Sequence, residues 1–367
     1  MNEFYLKSIY LENYRNIKNC DLTFSKNINC LFGKNGNGKT NLLEAIFYSA
    51  FKKSFRKNVN KEQIIKSEID HFIIKSDFQC DDKEINHAFK VSKEDSLIYV
   101  NKKKTNKLSK AYIVSINPHD SFLYHHQSSY RRNLLNHLIT TFDENYGKSL
   151  KIFEKTLRMR NSLITKYQGP RENLLRQILA LDEILAKEGL VLLRARENFC
   201  KKINTIIERI FNEIFNEPLK INLEYESEFK NMDSEEEIYN YYQGRVEKDL
   251  IRKGTKKGLH LDDYLIFIDE KPAETYGSVG QQKVSYLSLL FAYVEYLENE
   301  LKIPPIILLD DISGELDSRC WKNLLNYLDK KLLQVFISTA NDSFGEDLEN
   351  FRESKKFNVV AGSISER

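Results

Sequence analysis

A chain of 367 residues exceeds the roughly 250–300 residues at which a single hydrophobic core stops growing, so two lobes are expected. With 30% charged and 41% hydrophobic residues the composition is that of a globular protein, and no apolar run approaches the roughly 18–20 residues of a membrane-spanning helix. Net charge is only +3, which excludes a globally cationic nucleic-acid binder and leaves local patches as the source of any such affinity.

In chain order, short apolar runs at 5–11, 19–24 and 28–32 predict strands separated by polar turns. Helical spacing of Leu42, Leu43, Ile46 and Phe47 predicts a helix over 41–52, and strands return at 72–74, 97–100 and 112–116. From 130 to 215 the period is helical throughout, as in Leu174, Leu175, Ile178, Leu181, Ile184 and Leu185. Gly169-Pro170 breaks that stretch into two helices of about 25 residues, each about 37 Å long. Residues 232–239 are acidic and read as a solvated face without a function. A helix over 281–301, a strand at 305–309, a helix over 318–331, a strand at 334–338 and a last strand near 357–360 follow. The expected organisation is an α/β head from 1–120 plus 250–367. It is interrupted over 121–249 by a mostly helical lobe, a short arm without a long coiled coil.

The five cysteines, Cys20, Cys30, Cys80, Cys200 and Cys320, are dispersed at neither metal-ligand nor redox-pair spacing, as suits a reducing compartment. Charges interrupt the N-terminal segment, so it does not read as a secretory leader. A cytoplasmic location is expected by exclusion.

Gly33-Lys34-Asn35-Gly36-Asn37-Gly38-Lys39-Thr40, followed by Asn41, fits the P-loop pattern between a strand and a helix. Its glycines let the backbone amides form a nest for phosphate oxygens, Lys39 adds a cation, and Thr40 offers a hydroxyl to Mg²⁺. The run 306–309 ends in Asp310 and Asp311 like a Walker B strand. There Asp310 is expected to hold Mg²⁺ with Thr40, and Asp311 to orient or deprotonate the attacking water. ATP and Mg²⁺ are the implied cofactors. Ser278, in Gly277-Ser278-Val279-Gly280-Gln281-Gln282, precedes an apolar helix and taken alone is an N-cap. Its place about 30 residues before the Walker B strand matches the signature order of ABC-type ATPases. In that class the signature serine contacts the γ-phosphate held by a second subunit, so an ATP-dependent homodimer is expected. Glu315-Leu316-Asp317 stands where the D-loop would lie, and Thr339 is a candidate neighbour of the γ-phosphate. Lys39 to Ser278 spans about 240 residues, too many for a transporter ATPase subunit and too few for a long tether.

With these pieces in place the chain resembles the RecF family along essentially its whole length. Leu11-Glu12-Asn13-Tyr14-Arg15-Asn16 is similar to the family's opening, which SMC-like heads share. Similar in order are Lys53-Ser54-Phe55-Arg56, Pro118 with 130–135, Arg158-Met159-Arg160-Asn161, Leu181-Asp182, Lys253-Gly254-Thr255 and 258–263 with His260, Asp262 and Asp263. Departures include Val279 for a usual Gln, and a Q-loop glutamine has only Gln127 as a candidate. The resemblance implies an ABC/SMC-type ATPase head and a weak, Mg²⁺-dependent ATPase. It also implies ATP-dependent DNA binding at gaps and stalled forks, partnership with RecR, and help in loading RecA. Two other readings remain open: a RecF-like ATPase diverted to another role such as phage defence, and an ATP-holding DNA clamp with negligible hydrolysis. For DNA, the candidate patches are Lys52, Lys53, Arg56 and Lys57; Lys102, Lys103, Lys104, Lys107 and Lys110; and Arg131 with Arg132. Few aromatics interleave with them, so backbone contact is expected rather than base stacking.

Overall fold

Alternation of buried and exposed side chains builds the first sheet. β1 (Phe4–Tyr14) turns its apolar residues, Phe4, Leu6, Ile9, Leu11 and Tyr14, into the core and pairs antiparallel with β2 (Ile17–Thr23). β3 (Ile28–Phe32) joins another sheet and leads into α1 (Lys39–Phe51) and the short α2 (Lys61–Ile64). β4 (His71–Cys80), β5 (Lys83–Ser92), β6 (Ser96–Val100) and β7 (Lys103–Lys104) then extend the first sheet in the order β2-β1-β4-β5-β6-β7. The computed structural model describes residues 3–56, 61–65, 70–105, 107–109, 111–117, 119–216, 218–312, 316–331, 333–340 and 353–367.

The second sheet takes β8 (Ile113–Ile116) and, from the far end of the chain, β12 (Ile306–Leu309), β13 (Val335–Thr339), β14 (Ser354–Val360) and β15 (Ser363–Glu366). Its order is β15-β14-β3-β13-β12-β8, parallel except for β15. All five residues of β3 and all four of β12 are buried, as strands covered on both faces must be. α1 lies in the core with Leu42, Leu43, Ala45, Ile46 and Phe47 buried, so it is apolar on most of its circumference. Its one buried acid, Glu44, is neutralised by Arg15 from the β1–β2 turn.

The chain divides into two compact units, 1–121 with 209–218 and 279–367, and 122–208 with 219–278. The first unit also holds most of α7 (Ile207–Phe215), α11 (Val279–Leu301) and α12 (Ser318–Lys331). Arg209 on α7 pairs with Glu295 on α11, and Asn323 on α12 donates to the Ile214 carbonyl, so α7 is stitched to both helices. The second unit begins within the short α3 (Asp120–His126) and contains α4 (Ser128–Phe142), α5 (Glu144–Lys166), α6 (Arg171–Asn204), α8 (Glu235–Gln243), α9 (Val246–Ile251) and α10 (Ala273–Tyr276). A three-stranded sheet of β9 (Ile221–Glu226), β10 (Asp263–Ile268) and β11 (Lys271–Pro272) completes it.

Two expectations need correction. The head does not resume at 250: β10 pairs antiparallel with β9 from Asp263↔Glu226 to Ile268↔Ile221, which commits 250–278 to the second unit. Residues 209–218, expected in the lobe, belong to the first unit through α7. The break at Gly169-Pro170 is where it was expected, but the helices it separates are unequal, 23 and 34 residues. The acidic segment 232–239 has a local structural role: Ser234 and Glu237 form a capping box that starts α8.

Candidate nucleotide site

The P-loop turns where only glycine fits. Gly33, Gly36 and Gly38 have φ of 152°, 82° and 112°. A Cβ on Gly33 would stand 2.2 Å from the backbone oxygen of Val359, and one on Gly38 2.7 Å from the Asn16 side chain. The loop is therefore wedged between β14 and the β1–β2 turn. Asn16 Nδ2 donates to the Asn37 carbonyl at 3.0 Å, Asn41 Nδ2 donates to Asn16 Oδ1 at 2.7 Å, and Asn37 Nδ2 donates to the Val359 carbonyl at 2.9 Å. These bonds give the opening motif a physical role: Arg15 neutralises Glu44 beneath α1, and Asn16 holds the loop.

Lys39 is buried and its Nζ donates to the carbonyls of Gly33, at 2.6 Å, and Lys34, at 3.3 Å. Burial pushes its pKa down, while Asp311 and then Asp310 pull it back up. Its charge thus faces the two carboxylates of the expected metal and water site.

Sheet order brings those carboxylates to the P-loop. β13 lies between β3 and β12, and all three run parallel, so their C-terminal ends share one edge. Thr40 Oγ1 donates to Asp310 Oδ1 at 2.9 Å, and Ser338 Oγ, at the end of β13, donates to the same oxygen at 2.7 Å. The backbone N–H of Asp311 donates to Ser338 Oγ at 2.8 Å, and Asp311 itself takes the left-handed conformation with φ 52°. Asp310 is only 4% exposed, and burial raises its pKa against the two hydroxyls, which lower it.

A cleft of about 330 Å³ opens over this edge, lined by Asn35, Gly36, Gly38, Lys39, Thr40, Asn41, Arg56, Asp311 and Ser338. Arg56, read from sequence as part of a DNA patch, instead lines the cleft and donates to Asn41 Oδ1 at 2.8 Å. Of the expected nucleotide contacts, Gly33 and Lys34 contribute carbonyls that hold Lys39, and the Asn37 side chain is turned to β14. Ser338 and Asn16 were missed as site residues. Ser338 carries no motif of its own, whereas Asn16 was visible in the opening motif without an assigned role. Thr339, the expected γ-phosphate neighbour, is fully buried and does not line the cleft, because successive strand residues face opposite ways.

A buried carboxylate held by two hydroxyls, beside a glycine nest and a buried lysine, suits Mg²⁺–triphosphate in its donor set and charge. Ser278 is exposed at the start of α11, flanked by Tyr276 and Val279, which are 67% and 68% exposed. It is not among the cleft residues. Of the expected D-loop, Glu315 lies outside the described residues, and Asp317 caps α12 by accepting from the Cys320 N–H at 2.8 Å. Pro118, Lys57 and Lys110 also lie outside the described residues.

The expected lobe motifs converge inside the second unit. Arg160 has no exposed surface and binds Asp182, Asp249 and Thr255, while Asn161 Oδ1 accepts from the Thr255 N–H at 2.7 Å. Asp262 is held by Arg196 and Tyr225, Asp263 by Arg131, and His260 Nε2 lies 3.1 Å from the Thr255 carbonyl. This corrects the reading of Arg131 as a DNA contact: it is 5% exposed and ion-paired. Gln127 is exposed in the second unit, at the N-cap of α4.

Fold and site together define a P-loop ATPase head of the ABC and SMC type. A family model described as the RecF/RecN/SMC N-terminal domain matches residues 5–359. The chain is 32% identical over 372 residues to the DNA replication and repair protein RecF of Clostridium tetani, spanning 99% of this chain and 100% of that one. To the protein of the same name from Clostridioides difficile it is 31% identical, over 98% and 97%. A solved structure of the recombination mediator protein RecF with ATP, in the RecFOR pathway, superposes with a TM-score of 0.84 at 28% identity over 99% and 98% of the two chains. The Smc head of Pyrococcus furiosus gives 0.59 at 14% identity, a likeness of fold alone. The chain belongs to the RecF family. Among the described residues, no helix is long and apolar enough to cross a membrane.

Proposed function

We propose that this chain is an ATP-dependent DNA-binding repair protein that acts at gapped DNA or stalled forks, hydrolysing ATP slowly on an ATP-induced dimer. The observation that carries the nucleotide chemistry is the grouping of Lys39, Thr40, Asp310 and Ser338 at one sheet edge, with Asp311 lining the same cleft. The role in repair, with RecR and the RecA-loading machinery as partners, is supported by near full-length similarity to proteins named for DNA replication and repair and to a recombination mediator.

Bound Mg²⁺–ATP supplies the electrophilic γ-phosphorus and the cation that neutralises charge developing around it. The residues would act as follows. Amides of the loop 35–40 would bind the phosphates, and Lys39 would exchange the Gly33 and Lys34 carbonyls for phosphate oxygens. Thr40 and Asp310 would hold the metal, with Ser338 fixing the orientation of Asp310. Asp311, on the same edge, would orient the water and accept its proton. Its side chain is one methylene shorter than the Glu common at this position, which fits slow turnover.

The exposed Ser278 at the start of α11 supports a composite site, since a helix N-terminus with a serine suits an anion presented by a second copy. Sedimentation with and without ATP and Mg²⁺ tests this: a shift from monomer to dimer is expected, and a monomer under both conditions counts against it. Lys39→Ala removes a charged hydrogen bond and should weaken ATP binding by roughly 10- to 150-fold, from about 1.5–3 kcal/mol. The dimer should be lost with it. Capture of RecR by the chain only when ATP is present would separate the repair role from diversion of the same ATPase to another task.

A further inference from the structure

Resting on the reading of the chain as a DNA-acting ATPase, we propose that the outer face of α5 is a rail that holds the phosphodiester backbone of duplex DNA. The inner face of the helix is fixed by packing: Tyr146, Phe153, Thr156 and Arg160 are buried, and Arg160 is tied to Asp182 of α6. At 100° per residue, Lys148, Lys151, Lys155, Arg158 and Lys166 then fall within an arc of about 80° on the opposite side. All five are exposed, and none makes an ion pair or hydrogen bond with a described residue. At the start of α6, by contrast, Arg171 and Arg176 are paired with Glu247 and Glu172. The acids of α5 are Glu144, on the same face one turn before Lys148, and Glu154, about 40° outside the arc. A chain with almost balanced charge thus concentrates unneutralised cations on one helix face.

The shape of this face favours a duplex. From Lys148 to Lys166 the rail is about 27 Å long, the length of about eight base pairs at 3.4 Å each, and an α-helix is as straight as the duplex it would follow. The side chains among the cations are Ile152, Met159 and Ser162; the aromatics of α5, Tyr146 and Phe153, are buried. Stacking of unpaired bases, the usual grip on single strands, has no platform here.

The test compares binding to duplex and to single-stranded DNA, with ATP and Mg²⁺ over a range of salt, for three proteins. They are the native chain, the five-fold variant K148Q/K151Q/K155Q/R158Q/K166Q, and K83Q/K90Q/K93Q, which loses three exposed lysines from the β5–β6 hairpin of the first unit, outside every candidate patch. The rail predicts an affinity at least tenfold weaker at about 0.1 M salt for the five-fold variant. The slope of log affinity against log salt should be shallower by about 3–4.5, or about 0.9 for each of three to five lost contacts. The hairpin variant should stay within twofold of the native chain, and ATP binding should be unchanged in all three. A five-fold variant with native affinity and slope overturns the proposal, as does an equal loss in the hairpin variant, which would mark a net-charge effect. A loss seen only with single-stranded DNA overturns the duplex assignment. If the native chain binds no duplex, the reading of the chain as DNA-acting fails and the rail with it. Should the five-fold variant not fold, the single variants K151Q and K155Q decide: each should make the slope shallower by about 0.9, and two native slopes overturn the rail.

Discussion

Gly33 admits no side chain for two independent reasons, a φ of 152° and a backbone oxygen 2.2 Å from where the Cβ would be. Gly33→Ala should cost about 1–3 kcal/mol of stability, read as a lower urea midpoint, and should abolish ATP binding. Native ATP affinity in that variant would show that the loop is not wedged as described. Ser338 serves three groups at once, the Asp310 carboxylate, the Asp311 N–H and the cleft. Ser338→Ala should lower stability by about 1–3 kcal/mol and slow single-turnover hydrolysis more than it weakens ATP binding. A loss confined to binding would contradict its role in orienting Asp310. That the P-loop glycines, Lys39, Thr40, Asp310 and Asp311 come together at one edge was legible because two motifs of fixed spacing mark them. Ser338 was not, because a serine ending an apolar strand has no spacing signal until the sheet order puts β13 between β3 and β12. Arg56 was misassigned for a related reason: a basic run looks solvated in sequence, and only the fold turns one of its members inward.

At the scale of elements, α5, α6 and the 253–263 segment are locked by Arg160, buried between Asp182 and Asp249. Arg160→Met leaves two carboxylates without their cation and should cost about 3–5 kcal/mol, measured by denaturant unfolding. A loss below about 1 kcal/mol would contradict the clasp. His87 on β5 links the first sheet to the P-loop helix. The Ser49 carbonyl can only accept, so Nδ1, 2.9 Å away, carries the proton. Burial lowers the pKa of His87 below its ordinary 6.5, and the bond to Ser49 only partly offsets this. The folded state therefore prefers the neutral ring. Between the folded pKa and 6.5 the unfolded chain binds more protons, so this contribution is full above about pH 6.5 and declines as pH falls. The stability lead of the native chain over His87→Gln should narrow from pH 7.5 to 5.5; a constant lead would show that the ring does not titrate differently on folding. Elements with strong apolar period, such as β3, α11, β12 and α12, could be read from sequence almost to the residue. β5 and most of β4 could not, because lysines, aspartates and asparagines on their open face dilute the alternation. β9 lay in the lobe expected to be mostly helical and β10 in the head expected from 250, so their pairing was not legible and the expected boundary fell at 250 rather than 279.

For the whole molecule, the two units divide the work. The first carries the nucleotide edge, and the second carries the clasp and the cationic face of α5. The site needs a second copy if Ser278 is to meet phosphate, and subunit mixing tests this most directly. Lys39→Ala and Ser278→Arg should each abolish ATP hydrolysis alone. Mixed in equal amounts with ATP and Mg²⁺, they can form a heterodimer in which the intact P-loop of one copy faces the intact serine of the other. Recovery of hydrolysis on mixing, towards the rate expected of one working site per mixed dimer, is the predicted result. No gain over either variant alone, with dimers present by sedimentation, would contradict the composite site.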